Sequence, residues 1–104
     1  MKPMTCSIET WTATASSSDS GRHLAVVGEG TCPKRGYSLR LERGDPGVIP
    51  DPTTLALHLT ESAPATGVDE LTPAKVQYET KVSKDIVRVR IDTPNGMMSI
   101  DVRE

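Results

Sequence analysis

The stretch Ile86-Val87-Arg88-Val89-Arg90-Ile91-Asp92-Thr93-Pro94-Asn95-Gly96-Met97-Met98-Ser99-Ile100-Asp101-Val102-Arg103 decides the fold class. Apolar and polar residues alternate on both sides of Asn95-Gly96, and a period of two marks a strand with one dry face. Asn-Gly is a favoured pair for a two-residue type I′ turn, because both central positions need φ > 0. Folding about that pair sets Ile91 opposite Ile100 and Val89 opposite Val102, with Arg90 opposite Asp101 on the other face. Apolar pairs on one side and opposite charges on the other suit a half-buried antiparallel sheet.

The same alternation extends through the rest of the chain. It predicts strands over residues 6–14, 23–28, 37–42, 54–60, 75–82, 86–92 and 97–103. Leu55, Leu57 and Leu59 form one inward row, Val76, Tyr78, Thr80 and Val82 a second, and Leu39 with Leu41 a third. Helical periodicity is nowhere sustained beyond two turns, although residues 66–70 can close a single one. Two connections are long and hold prolines, which remove backbone donors and oppose strand formation: residues 43–53 and 61–74. Long connections among short turns suit strands that cross between sheets. The expected fold is therefore all-β: a seven-stranded, mostly antiparallel, immunoglobulin-like β-sandwich with Greek-key connections, with a small β-barrel as the alternative. At 104 residues the chain fits one domain spanning 1–104.

Cys6 and Cys32 flank a Ser-rich turn, Ser16-Ser17-Ser18-Asp19-Ser20-Gly21, whose centre, Asp19, is also the midpoint between them. A hairpin folded there brings the two cysteines face to face and allows a disulfide, although a one-residue slip would part them. The other reading is a pair of reduced thiols packed as small hydrophobes. A bridge would place the protein in a secreted or periplasmic setting, and reduced thiols would place it in the cytoplasm.

The formal net charge is −2, and neither a basic face nor a row of aromatic platforms is visible, which argues against nucleic-acid binding. No apolar run approaches the roughly 20 residues that a membrane-spanning helix needs. His23 and His58 lie on different strands and belong to no catalytic motif. Phosphate-binding, metalloprotease and serine-hydrolase signatures are also absent. No catalytic, cofactor or metal site is expected. The functional expectation is a non-catalytic module that binds another protein.

Three further features have a functional and an ordinary reading. Arg43-Gly44-Asp45 spells an integrin-binding tripeptide, but Gly-Asp-Pro-Gly is equally a common turn. Glu79, Arg88, Arg90, Asp101 and Arg103 are expected to share one solvated face. Trp11 falls on the outward side by strict alternation if Ile8 points inward; it is either a core residue next to a bulge or an exposed aromatic anchor.

Gly30-Thr31-Cys32-Pro33-Lys34-Arg35-Gly36-Tyr37-Ser38-Leu39 resembles a loop-then-strand signature of chagasin-type cysteine-protease inhibitors and of the PrcB C-terminal domain. Pro33, Gly36 and Tyr37 fall on the matching positions, whereas Lys34-Arg35 replaces small residues and the inhibitors' Arg-Pro-Trp loop is missing. The resemblance implies an immunoglobulin-like fold and, as a second functional expectation, inhibition of a protease by the 31–37 loop, with Pro33, Lys34, Arg35, Gly36 and Tyr37 as the binding residues.

Overall fold

Long runs of alternating residues without helical periodicity leave extended structure as the way to bury one face, and the computed structural model has that form. It describes residues 6–44, 52–65, 70–94 and 96–104. Seven strands follow in order: β1 (Ser7–Ser18), β2 (Gly21–Cys32), β3 (Ser38–Arg43), β4 (Thr54–Ser62), β5 (Thr72–Val82), β6 (Arg88–Thr93) and β7 (Gly96–Arg103). All seven expected strands are present, and no helix occurs among the described residues. The helical turn expected at 66–70 falls mostly outside them.

Hydrogen bonding joins the strands in the order β3-β4-β6-β7-β1-β2-β5. The pairs β1–β2, β2–β5, β3–β4 and β6–β7 are antiparallel, while β4–β6 and β1–β7 are parallel. The sheet is mixed and rolls until its outer strands β3 and β5 meet, joined by a hydrogen bond from Arg43 Nη2 to Thr80 Oγ1 at 3.3 Å. The result is a nearly closed, flattened barrel measuring 45 × 31 × 19 Å. Sandwich and barrel thus meet in one object, with layers β5-β2-β1 and β3-β4-β6-β7. The chain changes layer between β2 and β3, β4 and β5, and β5 and β6, as Greek-key connections do.

The core lies between these layers. Leu24, Val26, Leu57, Leu59, Val89 and Ile91 are at most 1% exposed, with Leu41, Leu55 and Val76 beside them. Of the inward rows read from the sequence, Leu41, Leu55, Leu57, Leu59 and Val76 are buried and Leu39, Tyr78, Thr80 and Val82 are half-buried. Ala56 departs slightly, being buried on the outer side of β4.

The last hairpin differs from expectation by two residues. Thr93 pairs with Gly96, so Ile91 faces Met98, Val89 faces Ile100 and Arg88 faces Asp101. The connection holds residues 94 and 95, and Gly96, at φ +132°, belongs to β7; Asn95 lies outside the described residues. Because side chains alternate with a period of two, an even slip leaves every residue on its expected face. The charged face needs one correction as well. Arg88, Arg90, Asp101 and Arg103 are on β6 and β7, but Glu79 belongs to β5 in the other layer, opposite Ala25.

The first hairpin is longer than expected, with 12-residue arms. Ser18 pairs with Gly21, so the turn is Asp19-Ser20 and its centre lies half a residue beyond Asp19. A regular ladder from that turn would set Cys6 opposite Pro33. The register instead shifts between Ile8 and Thr10: Thr10 pairs with Glu29 and Ile8 with Gly30. Glu9 is the surplus residue of a β-bulge. It returns Cys6 to Cys32, and their Sγ atoms form a disulfide with a separation of 2.02 Å. It also puts Ile8 and Trp11 on the same face, both packed against the core. At Gly30 a Cβ would collide with the Ser7 carbonyl oxygen, so the bulge requires glycine there.

Candidate functional site

The topology sets two kinds of end on the barrel. At one end lie the disulfide, the 33–37 loop and the start of β7; at the other lie the Asp19-Ser20 turn and the β5–β6 connection. Arg22 holds the second end together. Its guanidinium donates to the carbonyls of Ser83 (2.8 Å) and Ile86 (2.7 Å) and to Glu104 Oε1 (2.7 Å). The disulfide end is tied more locally, with the Cys6 backbone N–H donating to Glu61 Oε1 at 2.6 Å.

The main concavity of interest opens at the disulfide end, where β1 and β7 part. These strands pair only at Ala13–Val102 and Thr14–Arg103. Toward Ser7 and Gly96 they diverge and leave a cleft of about 260 Å³. Ile8 and Trp11 form one wall, Met97 and Met98 the other, and buried Leu59 of β4 the floor. The described lining contains no titratable side chain, since Cys6 is oxidised. Trp11 is placed by its cross-strand partner Gly28: a Cβ there would lie 2.6 Å from Trp11 Cζ3, so the indole lies against bare backbone. Met97 is 71% exposed and Met98 38% exposed, which is unusual for adjacent apolar side chains on one strand. Methionine is flexible and polarizable, and it suits surfaces that adapt to a partner.

The loop singled out from the sequence lies at the same end, across the other seam. Lys34, Gly36 and Tyr37 border a second depression of about 190 Å³ together with Thr72, Pro73 and Lys75 of β5. Gly36 has φ +94° and packs on Pro64, where a Cβ would approach to 2.9 Å. Arg35 Nε sits 3.0 Å from Glu70 Oε2, with both side chains exposed. Pro33 and Tyr37 are half-buried and Lys34 is exposed. The five residues therefore form a supported loop with an exposed basic pair.

The remaining candidates separate. His23 is half-buried, with Nε2 3.1 Å from Ser20 Oγ. His58 stands exposed on the outer face of β4, between Glu42 on β3 and Asp92 on β6. No group of three or more His, Cys, Asp or Glu side chains converges in metal-binding geometry among the described residues. Arg43 ends β3 and reaches Thr80, and the Gly44 amide donates to the Ala56 carbonyl at 2.9 Å. Two residues of the integrin-like tripeptide are thus held against the barrel; Asp45 is outside the described residues.

Sequence reasoning missed Met97, Met98, Ile8 and Leu59 as one group. The available signal was the Met97-Met98 pair, which breaks alternation straight after a turn. What assembles the group is the divergence of β1 from β7, and these strands are some 90 residues apart in the chain. Among the described residues no helix is long and apolar enough to cross a membrane. No protein-family model, curated protein or solved structure matches the chain.

Proposed function

We propose that this chain is a non-catalytic binding domain that engages another protein through its disulfide end. The observation that carries the reading is the apolar cleft between β1 and β7, with two solvent-exposed methionines on its rim and a tryptophan seated in its wall. Aromatic and methionine side chains in a partly desolvated pocket are the residues that dominate protein interfaces. The rigid two-layer scaffold supports this use, because it holds the cleft open without help from a partner.

The test is photo-crosslinking in the native host. A photoreactive residue at Met97 is expected to trap a specific partner that the same residue at Val87, also exposed but at the opposite end, does not trap. Identical products from both positions would end the proposal.

A second reading has its own support. The 33–37 loop and the β6–β7 turn project from the same end, and Lys34 and Arg35 present an exposed basic pair. On this reading the domain inhibits a protease by inserting that loop into the active-site cleft. Inhibition of papain-like proteases at micromolar protein, lost in a Lys34→Ala/Arg35→Ala variant, is the expected result. A lack of inhibition across cysteine and serine proteases would remove it.

A further inference from the structure

We infer that the cleft between β1 and β7 takes an extended peptide, inserted as one additional strand that hydrogen-bonds to the β1 edge. The inference rests on the binding-domain reading above and specifies the occupant.

In a sheet, alternate N–H and C=O groups of a strand point to each of its two sides. β1 is paired with β2 over its whole length on one side. On the other side β7 supplies partners only around Ala13 and Thr14. From Ser7 to Thr12 that edge has no backbone partner among the described residues. The facing edge of β7, from Gly96 to Ser99, is in the same position, because β6 occupies its other side. Two open strand edges therefore face each other across an apolar cleft.

An unpaired edge attracts a strand. The shape of the opening decides which strand. One wedged between β1 and β7 presents both its edges to protein, so it cannot be the border of another folded sheet, which needs one edge for its own neighbour. A single peptide segment without a sheet of its own fits. A lipid chain or other purely apolar ligand is disfavoured, because it would cover the backbone donors and acceptors of both edges without satisfying them. The lining adds the side-chain requirement. With no charge among Ile8, Trp11, Leu59, Met97 and Met98, the residues pointing to the floor must be apolar and uncharged. The apolar part of the open edge, Ser7 to Trp11, is matched by about five residues of extended chain, roughly 17 Å, and Asp101 and Arg103 flank Thr12 beyond it.

The test uses the full, oxidised chain and a phage-displayed library of random dodecapeptides, counter-selected against a Met97→Asp variant. That side chain is largely exposed, so the variant should fold; an unchanged melting temperature checks it. Selected peptides are expected to carry apolar residues at alternate positions and to protect the amides of residues 7–12 from hydrogen exchange. N-methylation should weaken binding about tenfold per position, at one parity through a hydrogen bond lost to β1 and at the other through one lost to β7. Failure to enrich any sequence over the variant overturns the inference, as does tolerance of N-methylation at every position, or protection of residues 7–12 by self-association of the chain. If Met97 still crosslinks to a folded partner while no peptide binds, the strand occupant is wrong and the binding-domain reading stands. If neither is seen, both fall.

Discussion

The two seams of the barrel are closed by different means. Where β1 meets β7, closure is by backbone pairing at Ala13–Thr14 alone, and the strands part toward the disulfide into an apolar cleft. Where β3 meets β5, no backbone ladder forms among the described residues, and long polar side chains bridge the gap: Arg43 to Thr80 and, just beyond the strands, Arg35 to Glu70. Backbone hydrogen bonds tolerate little change in strand spacing, so a seam that uses them is either zipped or open. Arginine spans variable widths and keeps its charge in water. A flattened barrel with one seam of each kind is tethered along one side while the other side is left available.

The strongest way to break this contrast is to release the hairpin that forms the cleft wall. A Cys6→Ala/Cys32→Ala variant should lose about 3.5 kcal/mol from the loop-entropy term, with a fall in Tm of roughly 15–25 °C, read by thermal and urea unfolding. Next, Trp11→Ala should cost about 2–3 kcal/mol by urea unfolding, since the indole is packed on Gly28 and on the core. Tyr78→Ala, two residues nearer the Asp19-Ser20 turn on β5, should cost less; a larger loss there would show that the β5 side contributes more packing than the cleft wall. At the far end, Arg22→Ala should cost about 2 kcal/mol, because the carbonyls of Ser83 and Ile86 both lose a charged donor. The smallest effect belongs to the polar seam: Arg43→Ala or Arg35→Ala should change stability by no more than about 0.5 kcal/mol and fade further in high salt. A loss above 2 kcal/mol there would show that side-chain bridges, rather than the shared core, close the barrel.

Much of this fold was legible because alternation reports directly which residues face inward. The rows of Leu55, Leu57 and Leu59 and of Val76, Tyr78 and Val82 could be read without knowing their neighbours. Register was harder. Asn95-Gly96 pointed to a turn one residue too late, yet the two-residue slip preserved every face, so the error did no harm to the core. Beyond the two hairpins, direction and partnership were not legible. The parallel pairs β4–β6 and β1–β7 join strands that are not consecutive in the chain, and period-two patterning is the same for parallel and antiparallel neighbours. The cleft depends on such a pair, and on its incomplete closure, which explains why Met97 and Met98 looked like ordinary strand residues. Trp11 was half-read: its core position required a bulge, and the bulge could be named as a condition but not located.

That surplus residue bears on how this lineage can vary in length. Removing Glu9 would join Ile8 to Thr10 and leave Ile8 opposite Gly30, Ser7 opposite Thr31 and Cys6 opposite Cys32, as they are now. A one-residue deletion in mid-strand, ordinarily ruinous, would here keep every downstream partner and the oxidised pair. Homologous chains one residue shorter at this point, and free to replace Gly30, are the natural variation to expect.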